Sequence, residues 1–318
     1  MEPRKVPSVL PASVRIREVG PRDGLQNEPE TLPTPAKVAM IEGLAAAGLT
    51  RIELTSFVRP DVIPQLADAA EVLAAVRLPA GVTASVLIPN ERGLDRALAQ
   101  REMFSEINGF LSASETHNAK NVGCSVADSL AGLKRVFARA TVEGLAIEAV
   151  ISTSFGCPYE GPVPVPRVLD LAEALAEAGA GEVGFGDTTG MANPVAVEAF
   201  FTAARERLGH VELTAHFHNT RGQGLANVLA ALRAGVESFE SSVGELGGCP
   251  VPAGATGNIA TEDLVSMLEE MGIATGVELD KLLGVARRLQ ETLGRRLGSH
   301  VLSAGPIRWD APDRLSLS

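Results

Sequence analysis

VRIREVGPRDGLQNEPETLPTPAKVAMIEGLAAAGLTRIELT, residues 14–55, reads as strand, helix and strand in succession. Val14 to Val19 is a short run rich in β-branched residues, which predicts the first strand. Helical periodicity follows from about Pro35 to Ala47, with Thr34 as the expected N-cap, Pro35 at the first helical position and Gly48 as the stop. Arg51 to Thr55 is the second strand. The connection after strand one, Gly20-Pro21-Arg22-Asp23-Gly24, is not the GxGxxG turn that a dinucleotide-binding open sheet would need there.

The same alternation continues to the end of the chain. Strands are expected at Val82 to Leu87, Phe104 to Leu111, Ala146 to Ser152, Glu182 to Phe185, Val211 to Phe217 and Glu237 to Val243. Helices are expected near Leu66 to Val76, from Glu91, and from Ser125, where Asp128 completes a capping box. Further helices follow the Pro-rich GPVPVP, the Asn193-Pro194 cap and Thr261, and one runs from about Leu225 to Arg233. Eight strand–helix units predict an α/β fold, a (β/α)8 TIM barrel with extra C-terminal helices. No linker divides the chain, so residues 1–318 read as a single catalytic domain, with the barrel at about 14–275 and a helical extension at about 276–318.

Composition narrows the function classes. The chain has 318 residues, 45% of them apolar and 21% charged, and a formal net charge of −11. That balance suits a soluble enzyme with a large core and argues against nucleic acid, which calls for a basic surface. No stretch reaches the roughly 18 apolar residues of a membrane span. Three cysteines, Cys124, Cys157 and Cys249, are too few for a disulfide framework, so a cytoplasmic setting is expected.

Chemistry in this fold sits at the carboxyl ends of the strands. His216 and His218 alternate on strand seven, so both imidazoles face one point at the barrel mouth, where they suit a divalent metal. The competing reading is a pair of hydrogen-bonded core histidines. Arg22-Asp23 follows strand one in a turn shaped by Gly20, Pro21 and Gly24, and Glu53 is placed to orient the guanidinium. The segment Gly244 to Asn258 carries five glycines and Cys249, which reads as a lid. His117 is placed in a solvated loop, His210 and His300 are read as structural, and Cys124 and Cys157 as buried small hydrophobes.

Seven blocks in chain order carry a resemblance: GPRDGLQNE (20–28), RIELTSFV (51–58), SASETHNAKN (112–121), GCPYEG (156–161), GDTTGMANP (186–194), HFHNTRGQGLAN (216–227) and ELGGCPVPAGATGNIATED (245–263). The sequence resembles the 3-hydroxy-3-methylglutaryl-CoA lyase family, within the wider group of metal-dependent TIM-barrel lyases and condensing enzymes. The resemblance implies a metal, magnesium or manganese, held by Asp23, His216, His218 and Asn258. It implies that Arg22 stabilises an enolate, that Cys249 transfers a proton, that Glu53 supports the site and that Asp187 organises the pocket. Ser56, Asn118 and Lys120 are candidates for substrate or coenzyme A contacts, and His216 for the base as well as a ligand.

The implied partner is a small acyl-CoA, and a homo-oligomer is left open. The implied reaction is retro-Claisen cleavage of 3-hydroxy-3-methylglutaryl-CoA to acetyl-CoA and acetoacetate, a step of leucine degradation and ketone-body formation. Departures from the family pattern at Pro29, Gly184 and Val251, and VGELGG in place of AGLGG, leave room for a citramalyl or longer-branched thioester. A condensing enzyme using acetyl-CoA is the alternative within the group. A non-enzymatic metal-binding scaffold is the alternative outside it, and it predicts lost ligands where Asp23, His216, His218 and Asn258 all stand.

Overall fold

The computed structural model describes residues 10–248 and 256–309. Eight strands form one closed parallel barrel: β1 (Arg15–Glu18), β2 (Arg51–Ser56), β3 (Thr83–Leu87), β4 (Glu106–Ser112), β5 (Ala146–Ser152), β6 (Glu182–Asp187), β7 (Glu212–Phe217) and β8 (Ser238–Ser241). Each pairs with the next in chain order, and β8 returns to β1. Parallel neighbours need a crossover, and helices supply it here. They are α1 (Thr34–Ala46), α2 (Ala69–Ala75), α3 (Glu91–Leu98), α4 (Glu115–Val122), α5 (Val126–Val142), α6 (Val165–Glu177), α7 (Pro194–Arg207) and α8 (Gly224–Arg233), while α9 (Thr261–Glu270) follows β8. Two more, α10 (Leu279–Leu293) and α11 (His300–Ala304), follow the barrel, with α10 packed on α1 and α9.

Alternation along the strands separates two kinds of interior. On β2, Ile52 and Leu54 join the apolar shell under the helices, whereas Glu53 between them meets Arg22. The barrel centre is ionic. Arg17, fully buried on β1, pairs with Glu148 and lies 2.8 Å from Glu106 and 3.1 Å from Glu182. Arg51 reaches Glu182 as well, and Glu106 at 3.5 Å. Burial alone would raise the Glu182 carboxyl, but the two guanidiniums outweigh it and hold it at about 2. Paired charges replace the usual branched aliphatic layers, because a buried charge persists only when paired and hydrogen-bonded.

Several local expectations are corrected. Thr34 is not an N-cap: Pro33 holds that position, and the Thr34 hydroxyl donates instead to Asp68 at 2.6 Å. The polar stretch after β4 is the helix α4 rather than a loop, started by Ser114, whose Oγ accepts from His117 N, and stopped by Gly123 at φ +78°. His117 is therefore buried on α4 instead of solvated in a loop, with its ring 6.3 Å from that of Tyr159. Cys124 is half-buried, while Cys157 is fully buried. At α5 the expected Ser125 cap is present, with Oγ accepting from Asp128 N at 3.1 Å, but the Asp128 carboxylate accepts the Ser125 hydroxyl at 2.6 Å rather than the backbone N–H that would complete a capping box. Among the described residues, no helix is long and apolar enough to cross a membrane.

Candidate active site

The turn after β1 sets the site. The amides of Arg22, Asp23 and Gly24 all converge on Val19 O, at 3.1, 2.7 and 3.2 Å. This tight π-type turn throws two adjacent side chains into the barrel mouth, a use such turns often have at functional sites. Arg22 Nε donates to Glu53 Oε2 at 2.5 Å, and one Nη donates to Asp23 Oδ1 at 2.7 Å. The guanidinium is thus fixed between two carboxylates while its remaining Nη has no partner among the described residues. Burial drives the Glu53 carboxyl up to about 7, against the pull of Arg22. Burial would also raise Asp23, but Arg22 and the two histidines hold it below the usual carboxylate range.

β7 delivers the histidines. His216 Nε2 and His218 Nε2 lie 3.1 Å apart, and with a carboxylate oxygen of Asp23 they form a cluster whose ligand atoms all lie within 4.8 Å of one another. Beyond β7 the chain carrying Asn258 runs alongside: His218 bridges Asn258, and Ile259 N donates to Phe217 O at 3.1 Å. Asn258 Nδ2 donates to Asp23 Oδ2 at 2.8 Å and to Leu246 O at 3.0 Å. Its Oδ1 is buried without a hydrogen-bond partner. Gly247 lies against this pair: at φ +99°, with a Cβ there meeting Asn258 Nδ2 at 2.6 Å, no other residue fits.

Burial, and then the neighbouring His216, push the His218 imidazole down to about 3, so it is neutral and able to offer a lone pair. Two imidazoles, a carboxylate and an unpartnered amide oxygen are a donor set for a divalent cation. The residues present fit such an ion.

Asp187 ends β6. Its Oδ1 accepts from the amides of Met191 and Ala192, at 2.7 and 3.1 Å, and Oδ2 is buried with no partner. Burial pushes this carboxyl up to about 6. Ser56 ends β2, where its Oγ accepts from Val58 N at 3.1 Å and shapes the following turn. Asn118 is committed elsewhere: its Oδ1 accepts from Ser112 N, and both amide protons go to Cys124 O and Ser129 Oγ. That bonding fastens α4 to β4 and to the start of α5, and it uses both amide protons. Lys120 is exposed, with its Nζ 5.1 Å from the centre of the Tyr159 ring. Cys249 lies outside the described residues.

A family model described as HMGL-like matches residues 13–289. The chain belongs to this family. It is 48% identical over 292 residues to the hydroxymethylglutaryl-CoA lyase of Bacillus subtilis, covering 92% of this chain and 97% of the relative. With the mitochondrial hydroxymethylglutaryl-CoA lyase of Bos taurus it shares 43% over 295 residues, covering 93% and 90%. The solved structure of an HMG-CoA lyase from Acinetobacter baumannii, in complex with coenzyme A and 3-methylmalate, superposes with a TM-score of 0.90 at 39% identity, covering 97% of this chain and 100% of that one. These relatives are lyases by name, and the solved lyase structure shares the barrel described above.

Three buried acids at this site escaped the reading of the sequence. Glu18 accepts from Gly20 N at 2.7 Å, Val243 N at 2.9 Å and Thr261 Oγ1 at 2.6 Å, tying the end of β1 to that of β8. Glu262 accepts from Gly244 N with both oxygens, each at 3.0 Å. Glu240 accepts from His216 Nδ1 at 2.8 Å. For Glu18 and Glu240 the signal available was an acid on a barrel strand, as with Glu53 near the end of β2; Glu262, in the first turn of α9, carried no such signal.

Proposed function

We propose that the chain is a hydroxymethylglutaryl-CoA lyase, cleaving 3-hydroxy-3-methylglutaryl-CoA into acetyl-CoA and acetoacetate. The observation that carries this reading is the convergence of Arg22, Asp23, His216, His218 and Asn258 at one barrel mouth, in a chain that covers 97% of a relative bearing that name. Asp23, His216, His218 and Asn258 would hold magnesium or manganese. A bound divalent ion supplies Lewis-acid polarisation of substrate oxygens and fixes their orientation.

The protein's own groups account for the remaining demands. The 3-hydroxyl must lose a proton, the C2–C3 bond must break, and its electron pair must move onto the thioester oxygen. Arg22, held by Glu53 and Asp23, presents a fixed positive charge where that oxyanion develops. His216 and His218 are read as ligands and Glu53 is engaged by Arg22, so Asp187, whose buried Oδ2 has no hydrogen-bond partner, is read as the proton acceptor. Cys249 on the glycine-rich segment is assigned the proton that returns to C2. Glu53 supports Arg22, and Ser56, Lys120 and, through its side-chain oxygen or by rearrangement, Asn118 are the candidates for acyl-CoA contacts. The chain is read as one catalytic unit, residues 1–318, and its free thiols Cys124 and Cys157 support a cytoplasmic compartment.

The test is direct. Purified protein supplied with magnesium is given 3-hydroxy-3-methylglutaryl-CoA beside citramalyl-CoA and longer-branched thioesters, and products are quantified. Acetoacetate with acetyl-CoA as the fastest outcome supports the assignment. Faster turnover of another thioester moves the substrate within the same chemistry, and none at all removes the lyase reading.

A further inference from the structure

Glu240 has no part in the chemistry above, yet its carboxylate is hydrogen-bonded to a candidate ligand. β7 and β8 pair so that His216 and Glu240 stand opposite each other, and the backbone ladder fixes their separation. Both side chains are buried. Glu240 Oε2 lies 2.8 Å from His216 Nδ1, whereas Glu240 Oε1 lies 3.7 Å from Arg17. Arg17 already has Glu106, Glu148 and Glu182 as partners. Counterbalancing Arg17 is therefore not what places Glu240; its short contact is to the imidazole.

A carboxylate can only accept this hydrogen bond, so the proton of a neutral His216 sits on Nδ1 and the lone pair on Nε2. Nε2 is the atom that faces His218. Without the acceptor, the buried ring could carry its proton on either nitrogen, and half of the choice would leave an N–H where a ligand is needed. A ring with two free torsions would also lose its aim. The partner that a metal-binding histidine finds for its second nitrogen does both jobs in known centres.

We propose that Glu240 is a positioning residue that fixes the tautomer and direction of His216, with Arg17 steadying its far oxygen, so that Nε2 is presented to a divalent cation. This rests on the reading of His216 as a ligand, and the experiment separates the two. Manganese binding to metal-stripped protein is measured by titration for the wild type, His218→Ala, Glu240→Gln and Glu240→Ala. In parallel, the nitrogen resonances of the histidines are recorded in the metal-free proteins. Binding should weaken in His218→Ala, which tests the site itself. In Glu240→Ala it should weaken by about 10- to 100-fold, the range for lost partners of metal-bound histidines. Glu240→Gln, which still offers an acceptor oxygen without the charge, should fall between. The His216 signal should show Nδ1 protonated in the wild type and lose that preference in Glu240→Ala.

Manganese affinity in both Glu240 variants within twofold of the wild type, while His218→Ala binds poorly, overturns the proposal and leaves the metal site standing. If the wild type binds no manganese, the site reading falls, and the His216 resonance alone decides: an unchanged tautomer in Glu240→Ala overturns the positioning role. Should Glu240→Ala fail to fold by circular dichroism, Glu240→Gln carries both measurements.

Discussion

Asn258 Nδ2 donates to Asp23 Oδ2 at 2.8 Å, although 235 residues separate the two in the chain. The bond couples the turn after β1 to the segment after β8, on either side of the seam where the barrel closes. Its energetic cost is that an amide and a carboxylate are both taken from water. With Nδ2 so engaged, Oδ1 is left buried and unpartnered, on a residue bridged to His218 through the backbone. A cation held by this cluster would give that oxygen a partner.

Metal removal is the first consequence. Chelation should abolish turnover, and magnesium or manganese should restore it. Asp23→Asn should bind manganese at least tenfold more weakly, since it replaces a charged oxygen ligand and loosens Arg22 as well. Full turnover in metal-stripped protein would remove the four-residue ligand set.

Arg22 should act on the transition state. Its guanidinium is held in place by Glu53 and Asp23 before substrate arrives, so little reorganisation remains for the reaction itself. Arg22→Gln should lower kcat by on the order of a hundredfold or more, with a smaller change in KM. An unchanged kcat with raised KM would mean that the residue only anchors substrate.

Glu262 gives a pH signature in stability. Burial, only partly offset by the Gly244 amide, pushes its carboxyl up to about 8, from an ordinary value of 4.5. The native state therefore holds a proton that the unfolded chain releases between those two values, and stability falls as pH rises through that window. Thermal melts of metal-free protein from pH 5 to 8.5 should show a steeper loss for the wild type than for Glu262→Gln, by an amount on the order of a few kcal/mol. Parallel curves for the two proteins would place the proton elsewhere.

Cys249 should be the functional thiol. A thiol reagent should inactivate the enzyme, and a bound substrate analogue should protect it. Cys157 is fully buried with its Sγ donating to Ser114 Oγ at 3.0 Å, so it should label slowly. Cys249→Ala should lose most turnover and still bind manganese. Normal turnover in that variant, or inactivation that tracks labelling of Cys124, removes the proton-transfer role.

Much of the site was legible because strand periodicity is local. His216 and His218 share a face whatever the rest of the chain does, and Arg22-Asp23 announces a turn by the glycines and proline around it. Asn118 shows where such reading stops. A polar residue in a motif looks like a ligand contact, but its three hydrogen bonds go to Ser112 on β4, to Cys124 and to Ser129 on α5, tying α4 to its neighbours. The helix itself was hidden because its composition is polar, and Ser114 and Gly123 are its only punctuation.

The sequence by itself determined the eight-fold alternation, the residue types at the strand ends and the family to which they belong. These depend on neighbours in the chain, through periodicity, caps and turn chemistry. Only the tertiary structure decided that Asn258 faces Asp23, that Glu240 stands opposite His216, and that Arg17 sits among four carboxylates. Those relationships follow from how far each parallel strand slides against the next, and from a ring that closes only when β8 meets β1 in one register. A side chain's charge is written in the sequence, but its partner is set by that register, and at this barrel mouth the partner determines what the residue can do.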